Sequence, residues 1–190
     1  MNEIEVKAKL KNKEKVLKHL KDAGLALSAT KYQKDTIFWP NDIKDPSGRL
    51  FGRNFLRIRE QKMGKNKKVI FTLKQSLENQ LDSIEHEIEI REEDIKSMFA
   101  IFKLLGFYKF SSVEKERTTA KMGDVEICID DVTDLGSFIE LEKFGEVDQA
   151  GKIHEELYAI LESWGIKEDD YVYTGYDILM YNAKNIPVPY

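Results

Sequence analysis

Glu3, Glu5 and Lys7 stand two residues apart at the head of the chain, in the stretch EIEVK. The same interval returns in Arg57 and Arg59, in Glu85, Glu87 and Glu89, in Lys115 and Arg117, in Glu126, Cys128 and Asp130, and in Glu140 and Glu142, while Lys74 follows Thr72. Side chains two apart on a β-strand point to one side, about 6.6 Å apart. Each set would therefore project from a single face. Six bases gathered in this way, Lys7, Arg57, Arg59, Lys74, Lys115 and Arg117, suit a polyphosphate, because arginine offers phosphate a forked pair of donors and lysine a compact charge. Carboxylates beside them would repel that anion unless they hold a hard divalent cation. Mg²⁺ or Mn²⁺ would serve, since both take oxygen ligands and bridge to phosphate.

The residues between the charges show which elements carry them. Ile4 and Val6, Leu56 and Ile58, Ile84, Ile88 and Ile90, Val125, Ile127 and Ile129, and Ile139 and Leu141 take the opposite parity. That alternation marks strands at EIEVKAKL, YQKDTIFW, NFLRIRE, VIFTLKQ, SIEHEIEI, SVEKERTTA, DVEICIDD and SFIELEK, eight in all, enough to close a small barrel. Helical periodicity appears in KEKVLKHLKDAG, EEDIKSMFAIFKLLG and EELYAILESWG, each ending on a glycine suited to a left-handed cap, and a last helix is expected over 169–181. A sheet with one wet polar face explains any single such strand. The set argues otherwise: a wet face tolerates Ser, Thr, Asn and Gln freely, whereas these faces carry Glu, Asp, Lys and Arg almost exclusively. With helices covering the apolar side, the charged faces would line a central tunnel. Unpaired charges there would cost several kcal/mol each if dry, by order of magnitude, so water, counter-ions and a highly charged ligand belong inside. The expected fold is α+β: an eight-stranded antiparallel β-barrel forming a charged tunnel, with helices packed on the outside.

Sliding the sequence by about 82 positions sets Glu3, Glu5 and Lys7 against Glu85, Glu87 and Glu89, and Gly24 against Gly106. The order strand, helix, glycine, strand repeats, and this predicts two pseudo-repeated halves. No linker separates them, so 1–190 reads as one domain, an ordinary size for one. Residues 40–54 are the long irregular stretch, rich in Pro and Gly, and read either as a lid or as a merely disordered tip. The formal net charge of −4 argues against a nucleic-acid partner. No apolar run approaches the roughly 18 residues of a membrane helix, and the acidic start is unlike a signal peptide. A soluble, cytoplasmic protein with a small-molecule partner is the expectation, and a homodimer through outward faces is compatible with it. Cys128 stands alone, and His19, His86 and His154 lack zinc-type spacing.

In this order the residues resemble the CYTH superfamily, the triphosphate tunnel metalloenzymes, which include class IV adenylyl cyclases and thiamine or inorganic triphosphatases. EIEVK resembles the family's ExExK signature, FLRIRE its arginine strand, TLK its lysine strand, VEKERTTA its K-x-R strand, and IDDVTDLGSFIELE its D-x-V-x-x-LG-x-F-x-E-x-E segment. The resemblance covers nearly the whole chain and implies the eight-stranded tunnel. It further implies that Asp130, Glu140 and Glu142 hold one divalent ion, that Glu3 and Glu5, with Glu142, hold or position a second, and that the six bases bind the triphosphate. Glu3, Glu5, Lys7 and Glu87 are the implied catalytic set, with the separate roles of Glu85, Glu87 and Glu89 open. Gln33 and Asp35 resemble the family's Q-x-D strand and would contact a base across the tunnel. Asp131, of outward parity, reads as a solvated loop acid, His86 as a surface residue, Cys128 as a tunnel-wall residue, and Trp39 and Trp164 as packing anchors.

Two departures bear on the reaction. Cyclase-like members often carry Lys-Gly-Pro where this chain has Lys74-Gln75-Ser76, and a Ser-Tyr pair where it has Gly175-Tyr176. The similarity leans toward a cyclase, in which the ribose 3′-hydroxyl of ATP attacks the α-phosphorus; a triphosphatase, in which water attacks a terminal phosphorus, stands beside it. A non-catalytic polyphosphate binder would keep the bases and lose the metal acids, and a plain structural barrel would bind no triphosphate at all.

Overall fold

Alternating apolar and charged residues produce long strands, and the charged face of each is turned inward by closure of the sheet. The computed structural model describes residues 2–43, 51–77 and 81–184. In chain order these form β1 (Asn2–Lys9), α1 (Lys13–Asp22), β2 (Lys31–Pro40), β3 (Asn54–Met63), β4 (Asn66–Ser76), β5 (Ser83–Ile90), α2 (Ile95–Leu104), β6 (Phe107–Met122), β7 (Val125–Val132), β8 (Gly136–Gly145), α3 (Ala150–Ser163), β9 (Tyr171–Val172) and α4 (Tyr176–Lys184). The barrel runs β1-β8-β7-β6-β2-β3-β4-β5 and returns to β1, all pairings antiparallel. The halves match as expected: strand, helix and three strands occur twice, and α1 maps onto α2 end to end under the 82-residue slide. Both helices stop at a glycine of positive φ, Gly24 at 73° and Gly106 at 84°, a conformation that costs glycine little.

Closure is thin at one seam. β1 meets β5 only at Glu3↔Ser83, and further along the same edge β9 takes over at Lys7↔Val172 and Ala8↔Tyr171. The ninth strand thus covers backbone groups of β1 that would otherwise lie unpaired beside a buried lysine.

The core lies outside the barrel wall, under the helices. Val16 and Leu20 of α1 and Ile153, Leu157 and Leu161 of α3 pack on Ile4, Val6, Ile127, Ile129, Ile139 and Leu141. Phe102 of α2 packs on Phe38, Leu56, Ile58 and Val69. α4 packs across one end of the barrel: Ile178 joins Trp39, Phe55 and Phe110, and Tyr176 and Met180 join Val113, Val132 and Phe138. One end of the barrel interior is therefore apolar and covered by α4.

Three expectations need correction. The last helix starts at Tyr176, not near 169; residues 168–170 form a 3-10 turn and Tyr171–Val172 the strand β9. Propensity could not foresee that the edge of β1 recruits this segment. Asp131 lies within β7, where its carboxylate accepts from Lys13 Nζ and Ser137 Oγ, pinning α1 to the wall. The helix expected at EELYAILESWG begins earlier, at Ala150. The candidate lid falls in part on 44–50, outside the described residues.

Candidate active site

All six predicted bases line one cavity of about 420 Å³, together with Glu3, Glu5, Asp35, Glu85, Glu87, Glu140 and Glu142. Strand register decides the pairings. β1 and β8 set Glu5 opposite Glu142 and Lys7 opposite Glu140, while β4 and β5 set Lys74 opposite Glu85. Lys7 Nζ lies 3.1 Å from Glu5 Oε1 and 3.0 Å from Glu140 Oε1. Lys74 Nζ lies 2.9 Å from Glu85 Oε1, and Arg57 donates to Glu85 and Glu87 at 3.0 Å each. Arg117 donates to both oxygens of Asp130, at 2.7 and 2.6 Å, and reaches Glu140 and Glu142; Lys115 donates to Asp130 at 2.8 Å.

Not every acid of inward parity reaches the cavity. Glu89 and Glu126 are exposed and do not line it; they sit where their strands run past the enclosed section. Asp130 is fully buried behind Lys115 and Arg117 rather than lining the cavity. Gln33 is buried but donates to Gln61, not to a base, whereas Asp35 accepts from Arg59 at 2.7 and 2.8 Å. Cys128 is buried and its thiol donates to Glu142 Oε1 at 3.6 Å. His86 is exposed.

The acids divide into two electrostatic groups. Burial alone would raise Asp130 and Glu140, but Lys115 and Arg117 outweigh it for Asp130, and Lys7 and Arg117 for Glu140, so both are held below the ordinary carboxylate range. Glu3, by contrast, is pushed up to about 8 by burial and by the charges of Glu142 and Glu85, and Glu5 to about 7 by burial and Glu140. Glu142 is raised as well, chiefly by burial. Oxygens of Glu3, Glu5 and Glu142 lie within 4.8 Å of one another, and the buried Glu5 Oε1 has the Lys7 ammonium beside it at 3.1 Å. Three crowded carboxylates, all raised by burial and by one another, fit a hard cation, which would relieve their repulsion. The set Asp130, Glu140 and Glu142 fits one less well, because two of its three members are already neutralised. Cys128 can be grouped with Glu140 and Glu142, but burial pushes its thiol well up, away from the thiolate that binds metal.

The Asp35–Arg59 pair makes a pH prediction. Burial alone would raise Asp35; Arg59 outweighs it and holds the carboxyl well below the ordinary carboxylate range. A carboxyl depressed in the folded state stabilises fully above its unfolded pKa and loses that contribution as pH falls toward the folded one. Asp35→Asn should cost about 3 kcal/mol at pH 7, with the gap to wild type narrowing below about pH 4. Urea unfolding at pH 7 and pH 3 measures both; a gap independent of pH would refute the pairing as its source.

Some residues of the site escaped the sequence. Asp82 Oδ1 accepts from the Glu5 backbone N–H at 3.0 Å and lies 3.0 Å from His154 Nε2, tying α3 to the acid-bearing strand. Only its place just before β5 hinted at this. Asp177 accepts from Trp39 Nε1 at 3.1 Å and lines the apolar end with Ile37, Phe55 and Ile178. Its signal lay in the C-terminal stretch, whose tertiary position no periodicity reveals.

A closed barrel of eight antiparallel strands encloses paired bases and a crowded carboxylate triad. The family model of the CYTH domain matches residues 1–176, and the chain belongs to that family. A protein of Methanocaldococcus jannaschii named "Putative adenylate cyclase MJ0240" is 32% identical over 179 residues, covering 93% of this chain and 97% of the relative. The solved structure of the PH1819 protein from Pyrococcus horikoshii superposes with a TM-score of 0.78 at 24% identity, covering 95% and 99%. A Hippeastrum protein described as a "putative adenylyl cyclase" that "reveals a dominant" triphosphatase activity gives 0.62 at 17% identity, covering 100% and 99%. At those identities the two structures speak to the fold. No helix among the described residues is long and apolar enough to cross a membrane.

Proposed function

We propose that the tunnel binds a triphosphate together with Mg²⁺ or Mn²⁺ and converts ATP to cyclic AMP and pyrophosphate. The observation that carries this is a single cavity with three kinds of wall: six bases for the phosphates, the Glu3–Glu5–Glu142 triad for a cation, and an apolar end at Ile37, Trp39, Phe55 and Ile178 for an organic group. The six bases face eight carboxylates, the seven lining acids named above and Asp177. A bare polyphosphate would thus meet a lining that is formally acidic, so the anion should enter with divalent cations. Arg57, Arg59, Lys74, Lys115, Arg117 and Lys7 would exchange carboxylate partners for phosphate oxygens and hold the chain in line. The ribose 3′-oxygen bonds to the α-phosphorus, the bond from that phosphorus to the bridging oxygen breaks, pyrophosphate leaves with the electron pair, and the hydroxyl proton passes to solvent. A cation on the triad would polarise phosphoryl oxygens and offset charge on the leaving group.

A triphosphatase is the second reading, favoured by a different observation. Trp39 is 1% exposed and Phe55 8%, so the apolar end offers edges rather than an open ring face. A substrate without an organic group would need nothing from it. The relative from Hippeastrum points the same way.

The test is incubation with Mg²⁺ or Mn²⁺ and, separately, ATP, tripolyphosphate and thiamine triphosphate, with products identified by chromatography. Cyclic AMP with pyrophosphate is the expected result. Orthophosphate without a cyclic product would replace the cyclase by the triphosphatase, and no binding of any of the three would remove both.

A further inference from the structure

We propose that the phenol hydroxyl of Tyr176 is a ligand-binding donor of the tunnel, completed by a non-bridging oxygen of a phosphate chain. The inference rests on the phosphate-binding reading above and adds to it a residue from α4 rather than from the barrel strands. Tyr176 lines the cavity. Its ring carries the Lys7 ammonium 4.3 Å from its centroid and that of Lys115 at 4.9 Å, and meets Phe138 edge-on at 5.1 Å. The residue is 8% exposed, and its hydroxyl is buried with no hydrogen-bond partner among the described residues.

A buried hydroxyl without a partner costs about 1–3 kcal/mol, and folded proteins rarely leave one so. Phenylalanine would make the same ring contacts without that cost. The neighbours also explain why no partner is at hand. Lys7, Lys115 and Arg117 have only donors to offer. The carboxylates beside them are engaged: Glu5 holds Lys7, Glu140 holds Lys7 and Arg117 through its two oxygens, and Asp130 holds Arg117 and Lys115. What is missing at this spot is an acceptor, and two ammonium groups lie against the same ring. A phosphate chain carries several anionic oxygens, one of which would accept from the hydroxyl while others meet the ammonium groups at the ring. The ring has a second effect: its faces hold both lysines without neutralising them, since the attraction of a cation to a ring leaves the full positive charge for an anion.

Tyr176→Phe separates the hydroxyl from the ring. Calorimetry with tripolyphosphate and Mg²⁺ should show affinity about tenfold weaker than wild type, about 1.4 kcal/mol, in the range for a hydrogen bond to a charged group. The Tm of the ligand-free variant should be unchanged or higher, because the substitution removes an unsatisfied group. A structural hydroxyl would do the reverse. Equal affinity in variant and wild type, or a lowered ligand-free Tm, overturns the assignment alone. Failure of wild type to bind tripolyphosphate overturns the phosphate reading and the assignment with it.

Discussion

Arg117→Ala is expected to cost about 4 kcal/mol of folding stability and to lower Tm by about 10 °C, the largest loss of any tunnel base. The guanidinium is the sole group that reaches Asp130, Glu140 and Glu142 together among the described residues. Asp130 is fully buried and Glu140 nearly so, at 4% exposure. Removing the cation leaves charges in a medium that cannot solvate them, with Lys115 and Lys7 as the remaining counter-ions. Such a broken buried pair costs far more than an intact one contributes. Arg57→Ala provides the contrast, because one of its partners, Glu87, has a side chain 45% exposed that water can rescue. Thermal unfolding of the two variants should place Arg117→Ala clearly lower. Equal losses would show that the Asp130 cluster is not the electrostatic keystone that its burial implies.

Glu5→Gln is expected to lower metal-dependent turnover about 10³-fold, about 4 kcal/mol of transition-state stabilisation, while leaving the protein folded. Glutamine keeps the size of the side chain but removes an anionic ligand from the triad. The ligand-free variant should be at least as stable as wild type, because Glu5 is crowded by Glu140, and Lys7 retains Glu140 as a partner at 3.0 Å. A second readout does not depend on which reaction is catalysed. A cation at about 100 times its Kd should stabilise wild type by about 2.7 kcal/mol, seen as a rise in Tm, and Glu5→Gln should lose most of that rise. Full turnover with an undiminished Mn²⁺-induced shift would remove Glu5 from the metal assignment.

The charged faces were legible because parity is a local property. In a strand, neighbouring side chains alternate whatever the rest of the chain does, so Glu3, Glu5 and Lys7 had to share a side, as did Arg57 and Arg59, and Glu140 and Glu142. The apolar residues of opposite parity, needing burial under helices, told which side faced inward. The three early helices were legible for a similar reason, down to the glycines that end α1 and α2. Parity does not say how far along a strand the enclosed section extends. Glu89 and Glu126 have the inward phase and still lie in solvent.

The sequence by itself thus determined the kind of lining: bases and acids concentrated on one face of each strand, in a barrel made of two related halves. It also determined the family, through motifs that follow one another in a fixed order. Only the tertiary structure decided which charges neutralise one another, because that depends on register between strands distant in the chain and on closure at the β1–β5 seam. Register made Asp130 a buried anchor for Lys115 and Arg117 and left Glu3, Glu5 and Glu142 crowded together. Closure brought Asp82 to the backbone of Glu5, and the C-terminal segment to the tunnel, where Tyr176 meets two lysines. Periodicity operates over a few residues, whereas these contacts join positions as far apart as Lys7 and Tyr176, and their energies come from dielectric and geometry that exist once the barrel is closed.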